Sequence, residues 1–300
     1  MDLLVNITED LVLNNPVMNA SGTFAYGREF SEIFDLSIMG GLIPKALSLK
    51  PRQGNPPPRI VEAPCGIINA IGLENIGVDA FLETELPFLK GFNVPIIANF
   101  FGESVEEYVE CALRLDVEGI DGLEMNVSCP NVASGGLEFG RDKGVLSSLV
   151  SEIRKRTAKT LIVKLPPIGG DIVELALVAQ ESGADALTCA NTFPAMAIDE
   201  ETWRPILANT VGGLSGPAIK PIALRFVWEV HKKVKIPIIA SGGVSSYRDV
   251  IQFLLAGASA VQVGSASLRD PLCFKEIIDG LKDYMVSHNI ASVKNIVGKL

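Results

Sequence analysis

Histidine and cysteine, from which most metal and cluster sites are built, are scarce and dispersed in this chain of 300 residues. The only two histidines, His231 and His288, lie far apart, so we expect no histidine-based metal site. The five cysteines include no C-x-x-C pair, which argues against a disulfide framework and against an iron–sulfur cluster held within the chain. Such cysteine usage is typical of a reducing, cytoplasmic compartment.

The chain also lacks a long apolar run and a surplus of basic residues. Its most apolar stretch, 250–268, is interrupted by two glycines and two glutamines, and the pattern favours a helix followed by a strand over a membrane span. The first residues contain no basic region with a long apolar core, so we expect no signal peptide. The net charge of −9 argues against nucleic acid or an anionic membrane surface as the main partner.

Short apolar, β-branched runs instead alternate with amphipathic stretches along the chain, and apolar residues make up 48% of it. This alternation predicts a parallel sheet, and eight repeats predict a closed α/β barrel, the (β/α)8 or TIM barrel, as a single domain over residues 1–300. A doubly wound open sheet is the alternative architecture. The predicted strands are Pro16–Ala20, Gly41–Leu47, Pro95–Phe100, Gly119–Val127, Thr160–Leu165, Ala184–Cys189, Pro237–Ala240 and Ala260–Val263.

Other segments are assigned to the two ends of this barrel. Leu3–Ile7 and Leu11–Leu13 are predicted to form an N-terminal β-hairpin that caps the bottom. The long connections Lys50–Gly77 and Asn191–Pro217 each follow a strand, so we expect them over the C-terminal face, where such barrels hold their active sites. The predicted helices include Ser104–Leu115, Gly144–Arg156, Ile172–Ser182, Ile219–Val234, Tyr247–Leu255 and Pro271–Ser287.

The fourth predicted strand leads into an amide and a thiol, Asn126 and Cys129. Its residues alternate, which places Glu124 and Asn126 on the same face. An amide can hold the edge of a heterocycle, and a thiol can take up or release a proton near neutral pH. A buried structural cysteine is the alternative interpretation of this patch when it is taken alone.

Glycines follow the last two predicted strands, in Ser241–Gly243 and at Gly264 before Ser265. Backbone N–H groups at such positions can approach a phosphate closely, and loops seven and eight of these barrels often bind one. Simple glycine turns are the alternative for each motif, but their joint position favours a phosphate group. Gly212–Gly216 could supply a third side of that site.

Two lysines and several asparagines occupy the remaining strand ends and mouth loops. A lysine at a barrel-strand end can be a Schiff-base nucleophile, but the asparagines favour recognition of polar ring edges and carbonyls. Lys164 could place a positive charge beside a ring that becomes anionic on reduction. Loop caps and turns are the alternative role for each asparagine alone. The residues concerned are Lys45, Lys164, Asn69, Asn99, Asn126 and Asn191.

Together these motifs resemble the class 1 dihydroorotate dehydrogenases, soluble flavin enzymes of pyrimidine synthesis, over nearly the whole chain. NAIGL and GGLSGPAIKPIALR resemble the NAD-linked subclass 1B more than the fumarate-linked subclass 1A. The matching stretches are NASGT from Asn19, Lys45, GNPPPRI from Gly54, NAIGLEN from Asn69, NVSCPN from Asn126, KLPP from Lys164, ANT from Ala190, AIDEET from Ala197, GGLSGPAIKPIALR from Gly212 and IASGGV from Ile239.

The resemblance implies one FMN per chain, with dihydroorotate as substrate and orotate as product. Cys129 would be the catalytic base, where the membrane-attached class uses a serine. The FMN-binding residues implied are Ser21, Lys45, Ala46, Asn99, Asn126, Lys164, Ala190, Gly216, Gly242, Gly243, Gly264 and Ser265. The substrate-binding residues implied are Lys45, Asn69, Ala70, Ile71, Gly72, Leu73, Asn126, Asn191 and Thr192.

A mechanism and a partner are implied as well. Cys129 would take the C5 proton of dihydroorotate while FMN N5 accepts the hydride from C6. The chain contains no G-x-G-x-x-G dinucleotide fingerprint, so NAD reduction would need a second subunit that carries FAD and a 2Fe–2S cluster. The expected assembly is a homodimer that binds two such iron–sulfur flavoprotein subunits as a heterotetramer.

The chain departs from the family pattern at Cys65, Cys189, Ala195 and Trp203, which puts the loop geometry near Ala195 and a dimer contact near Trp203 in question. Three alternatives stay open. One is a related flavin reductase of the dihydropyrimidine dehydrogenase kind. The others are a flavin-free, phosphate-binding barrel such as an aldolase, and a non-catalytic binding module.

Overall fold

A computed structural model describes residues 1–128 and 139–300 of the chain. The strands are numbered in chain order: β1 Val5–Asn6, β2 Val12–Leu13, β3 Val17–Asn19, β4 Ile60–Ala63, β5 Gly66–Asn69, β6 Ile97–Phe100, β7 Gly122–Asn126, β8 Thr160–Lys164, β9 Ala186–Cys189, β10 Phe193–Met196, β11 Ile198–Asp199, β12 Arg204–Pro205, β13 Val211–Ser215, β14 Ile238–Ser241 and β15 Ala260–Val263.

Seven of these strands form one curled parallel sheet in the order β3-β15-β14-β9-β8-β7-β6. All seven strands are buried along their length, as expected for a parallel sheet that helices cover from outside. The predicted (β/α)8 barrel is confirmed, and the eighth position lies between β3 and β6.

The segment that closes the barrel, residues 41–47, is less regular than predicted. Its backbone makes isolated parallel bridges to Met18, Ile96 and Phe100 but forms no continuous ladder. Pro44 has no N–H to donate to a ladder. The Asn19 side chain takes over part of the pairing, because its Nδ2 donates to the Ile43 carbonyl at 2.6 Å and its Oδ1 accepts from the Ile43 N–H at 2.9 Å.

Helices surround this sheet, and several of the longer ones begin at capping residues. Asp142 and Asp171, for example, accept hydrogen bonds from backbone N–H groups of the helices that follow them. Within the described residues no helix is long and apolar enough to cross a bilayer. The α-helices are α1 Arg28–Ser31, α2 Val78–Ala80, α3 Leu86–Lys90, α4 Val105–Leu115, α5 Lys143–Arg154, α6 Ile172–Glu181, α7 Lys220–His231, α8 Tyr247–Leu255, α9 Ala266–Arg269 and α10 Cys273–Ser287.

The N-terminal hairpin forms as predicted and lies at the bottom of the barrel. β1 pairs antiparallel with β2, with Val5 opposite Leu13. In the turn between them the Thr8 hydroxyl lies 2.6 Å from the hydroxyl of Thr160, the first residue of β8. Because Thr160 is the first residue of a barrel strand, this contact fixes the hairpin to the barrel end opposite the C-terminal ends of the strands.

The two long connections lie over the C-terminal face and pair with each other. They contribute a four-stranded antiparallel sheet in the order β10-β13-β5-β4, in which Asn69 of β5 lies opposite Gly213 of β13. A small apolar cluster of Ile68, Ala70 and Leu207 is buried with this sheet. We call these four strands the mouth sheet.

Candidate active site

A cavity of about 560 Å³ lies between the strand ends of the barrel and the mouth sheet. Its volume is within the range of pockets that hold small molecules or cofactors. It brings together, within the described residues, all of the predicted site residues except Asn99. These are Ser21, Lys45, Ala46, Asn69, Ala70, Ile71, Gly72, Leu73, Asn126, Lys164, Ala190, Asn191, Thr192, Gly216, Gly242, Gly243, Gly264 and Ser265.

Cys129 and Asn99 differ from the other predicted site residues. Cys129 lies outside the described residues, so its role stays a prediction. Asn99 is fully buried in β6 and lies behind the cavity lining. Its Nδ2 donates to Glu124 Oε1 at 2.6 Å, and its Oδ1 has no hydrogen-bond partner among residues 1–128 and 139–300. A buried acceptor without a donor is costly, so this oxygen is a candidate for contact with a ligand or a water.

Glycines form one end of the cavity, as the sequence predicts for a phosphate. Gly242 and Gly243 have φ values of 134° and 78°, which favour glycine, and a Cβ on Gly243 would lie 2.8 Å from the Gly216 carbonyl oxygen. A Cβ on Gly264, by contrast, would meet only the Ala20 Cβ, at 3.6 Å. The first two glycines are therefore required by the fold itself, whereas Gly264 leaves space open at the cavity wall.

Amide and hydroxyl groups line another part of the cavity. Asn126 Oδ1 accepts from Asn191 Nδ2 and from the Ser128 N–H, each at 3.2 Å. Asn69 Nδ2 donates to the Gly213 carbonyl at 3.2 Å, which ties the substrate-binding loop predicted at 69–73 to the mouth sheet. These groups offer donors and acceptors of the kind that recognise a pyrimidine edge.

Lys164 ends β8 and supplies a positive charge at the cavity wall, although it is only 4% exposed. Its Nζ donates to Gln262 Oε1 at 2.9 Å and lies 3.6 Å from Glu124 Oε1. Such a buried ammonium is held by polar partners on its inner side and can serve an anionic group on its outer side.

Lys45 is the second cation at the cavity, and its surroundings differ. Burial lowers the pKa of Lys45, the nearby Arg59 lowers it further, and Glu74 opposes both. Glu74 Oε2 lies 4.0 Å from Lys45 Nζ and 2.7 Å from Arg59 Nη2. Lys45 is thus a half-buried cation that an anionic substrate group could reach.

The described cysteines do not offer a base at this site. Burial raises the pKa of Cys111, Cys189 and Cys273 to about 12. Cys65 is exposed in the turn between β4 and β5 and does not line the cavity. Cys189, one of the departures from the family pattern, therefore behaves as an apolar core residue, in keeping with its location in a barrel strand.

Within the described part of the chain, no group of three or more histidine, cysteine, aspartate or glutamate side chains is placed to hold a metal ion. The cavity combines a glycine-lined end, amides that can form hydrogen bonds with the edge of a flat ring, and a cation at its wall. Those features suit a phosphate-bearing cofactor and a small anionic heterocycle.

Sequence reasoning did not assign three buried polar residues beneath the cavity, Glu124, Gln262 and Thr188, and it did not assign Arg141, which lines the cavity. The three buried residues are 0% exposed and lie on barrel strands beneath the cavity. A signal for Glu124 was present, because strand alternation places it on the same face as Asn126. Gln262 carried no comparable signal, since a glutamine between two valines reads equally well as an interruption of an apolar run.

Comparisons with known proteins agree with this geometry. A family model described as dihydroorotate dehydrogenase matches residues 3–285. Proteins named dihydroorotate dehydrogenase B (NAD(+)), catalytic subunit, from Geobacter sp. (strain M21) and Trichlorobacter lovleyi are 53% and 54% identical to this chain. The alignments cover 96% of this chain and 95% of the first relative, and 97% of this chain and 96% of the second.

A solved structure shares the fold as well. It is the crystal structure of a dihydroorotate dehydrogenase from Eimeria tenella in complex with ferulenol, and it superposes with a TM-score of 0.80 at 25% identity. The match covers 99% of this chain and 88% of that one.

Proposed function

The chain belongs to the dihydroorotate dehydrogenase family, and on that premise we propose that it oxidises dihydroorotate to orotate as a catalytic subunit whose electrons reach NAD. The observation that carries this proposal is the cavity at the strand ends, where a glycine-lined end, an amide cluster and Lys164 meet. The names of the relatives support the NAD-linked form over the fumarate-linked form.

FMN fits the residues present. Gly242, Gly243, Gly264 and Ser265 would hold the phosphate, and Asn99 Oδ1, which has no partner among the described residues, would meet a donor of the ring system or a bridging water. When bound, FMN would supply the redox chemistry by accepting a hydride. Lys164 would provide positive charge for the reduced ring, which is anionic.

Dihydroorotate would bind beside the amides. Asn69, Asn126, Asn191 and Thr192 would hold the ring, and the half-buried Lys45 would meet the substrate carboxylate. Fixing the ring in one orientation lowers the entropic part of the barrier.

Cys129 would act as the base that removes the C5 proton. Among the described thiols, the three buried ones have pKa values raised to about 12, so they are protonated near neutral pH. We expect Cys129→Ala to retain FMN and to slow flavin reduction by dihydroorotate by about 10²–10⁴-fold, the usual effect of losing a general base. Stopped-flow reduction under anaerobic conditions would measure this, and a rate close to that of the wild type would rule out Cys129 as the base.

The electron-transfer partner follows from the phrase "catalytic subunit" in the relatives' names. We propose an iron–sulfur flavoprotein with FAD and a 2Fe–2S cluster, bound to a homodimer of this chain as a heterotetramer. The sequence contains no G-x-G-x-x-G fingerprint of its own for NAD, which supports a separate NAD-binding subunit.

One experiment tests the proposed function. The purified chain should be yellow, and anaerobic dihydroorotate should bleach its flavin absorbance. The isolated chain should then reduce an artificial dye but reduce NAD slowly until the partner subunit is added. Rapid fumarate reduction would place it in the fumarate-linked subclass instead, and a colourless chain that takes up no FMN would overturn the proposal.

A further inference from the structure

One buried carboxylate lies beneath the cavity and does not line it. Glu124, in the middle of β7, is 0% exposed. Its Oε1 accepts from Asn99 Nδ2 at 2.6 Å, and its Oε2 accepts from the Thr188 hydroxyl at 2.6 Å and from Gln262 Nε2 at 2.5 Å. Four barrel strands, β6, β7, β9 and β15, thus converge on a single side chain.

The direction of the two hydrogen bonds that Gln262 makes follows from Lys164. An ammonium has only donors, so Gln262 must turn its Oε1 towards Lys164 Nζ, at 2.9 Å. Its Nε2 then faces Glu124, and Glu124 Oε2 must accept. The result is an ordered relay from the carboxylate through the Gln262 amide to the ammonium, with a direct Glu124–Lys164 separation of 3.6 Å in parallel.

Only one end of this relay reaches the cavity. Lys164 is among the residues that line it, whereas Glu124, Gln262, Thr188 and Asn99 are not. The carboxylate can therefore act on a bound molecule through the position and charge of the Lys164 ammonium and, without transfer of charge, through the Asn99 amide on its other side.

Stability alone is a weak reason for such a cluster. The cost of removing two charges from water often exceeds their mutual attraction, and apolar residues of similar volume commonly serve a core as well or better. A carboxylate that accepts on both oxygens and is matched to one lysine is better explained by what the lysine does.

We propose that Glu124 is a positioning residue: through its charge and the Gln262 amide it holds the Lys164 ammonium at the cavity wall, where the ammonium stabilises reduced, anionic FMN. This inference rests on the proposed function. It assigns to Glu124 no contact with substrate or cofactor.

The test is the two-electron midpoint potential of bound FMN, measured at saturating FMN by equilibration with a reference dye. Without the Glu124 charge, the buried Lys164 ammonium loses its counter-ion and its fixed position, so less positive charge is held at the wall. Glu124→Gln should therefore weaken binding of reduced FMN relative to oxidised FMN by at least about tenfold, which lowers the potential by about 30 mV. Gln262→Leu, which interrupts the relay but keeps the carboxylate, should shift this ratio at least about threefold in the same direction.

A double-mutant cycle separates this role from a direct or merely structural one. In a Lys164→Met background, Glu124→Gln should change the ratio by less than about threefold, because the charged route to the flavin is gone and only the uncharged Asn99 amide still joins Glu124 to the site. Thr188→Val is the matched control: it removes a donor from the same carboxylate but leaves the path to Lys164 intact, so it should also stay below about threefold.

The outcomes are distinct. An unchanged or raised potential in Glu124→Gln with FMN bound overturns the inference alone, as does an equal shift in the Lys164→Met background. If Glu124→Gln does not fold, Gln262→Leu decides by the same criteria. A wild-type chain that binds no FMN overturns the proposed function and this inference together.

Discussion

The two walls of the cavity are built in different ways. The barrel wall consists of fully buried strands whose inward polar side chains, such as Glu124 and Lys164, are locked to one another by hydrogen bonds. The mouth sheet has half-buried and exposed strands, and it orders its binding loop mainly by backbone pairing, as between β5 and β13. The barrel wall supplies fixed charge, whereas the mouth sheet supplies shape.

This contrast predicts different consequences of substitution. A change in the barrel wall should disturb folding and cofactor binding together, because a buried charge that loses its partner is not stabilised by water. A change in the mouth sheet should disturb substrate binding while leaving the fold and the flavin intact.

The largest effect should come from Lys164→Met. It leaves the Glu124 carboxylate buried without its counter-ion, and breaking a buried pair in this way costs about 3–5 kcal/mol. Urea unfolding of the flavin-free chain would measure the loss. Lys143→Met is the control, because the Lys143–Glu174 pair is about half-exposed and such pairs contribute about 0–1 kcal/mol. Equal losses in the two variants would contradict the assignment of a rigid, charged barrel wall.

How far the sequence determines these walls differs in the same way. Strand and helix positions were predictable where hydrophobic period and capping residues agree, and helix α8 was predicted with its observed bounds, Tyr247–Leu255. The segment 41–47 was predicted as a regular strand, but its ladder is interrupted. Pro44 has no N–H to donate, and the Asn19 amide makes hydrogen bonds to Ile43 in place of a neighbouring strand. A side-chain substitute for backbone pairing has no local signature.

The mouth sheet could be predicted only in part. The two long connections were correctly placed over the C-terminal face, but the pairing of Asn69 with Gly213 joins residues 144 positions apart. Register between such distant strands depends on the barrel that brings them together, and no local pattern encodes it. The relay behind Lys164 was missed for a similar reason, since Glu124, Thr188 and Gln262 come from three separate strands.

A second variant on the barrel side tests the cofactor without disturbing the fold. A Cβ added at Gly264 meets only the Ala20 Cβ, at an ordinary contact distance of 3.6 Å, so we expect Gly264→Val to fold. It should nevertheless fill space next to the expected phosphate. If two charge-assisted hydrogen bonds of about 1.5 kcal/mol each are lost, FMN affinity falls by about 100-fold. Fluorescence titration with FMN would measure this, with Gly170→Val, outside the cavity, as control. Undiminished affinity would mean that the phosphate lies elsewhere.

A smaller and more selective effect is expected from Gly213→Ala in the mouth sheet. The new Cβ would lie 2.0 Å from Thr192 Oγ1, so Thr192 must move, and the carbonyl that accepts from Asn69 is on the same residue. If the displaced Thr192 or Asn69 loses one hydrogen bond to dihydroorotate, binding weakens by about 1.4 kcal/mol, which raises KM for dihydroorotate by about tenfold. Flavin content should be unchanged. Steady-state kinetics and the flavin-to-protein absorbance ratio measure both, with Gly170→Ala as control. A loss of flavin would show that the two walls are not independent.

The smallest effect should follow substitution of Trp203, which lies outside the mouth sheet in the turn between β11 and β12. Its side chain is 89% exposed and its φ is 57°, a conformation that a bulky residue adopts at a cost. Trp203→Gly removes few contacts and relieves that cost, so the free energy of unfolding should change by less than about 1 kcal/mol. Denaturation at several protein concentrations, with sedimentation of the same samples, would measure it. A large loss that grows as the protein is diluted would show instead that the indole is buried against another copy of the chain, and the dimer contact left in question by this departure from the family pattern would then include Trp203.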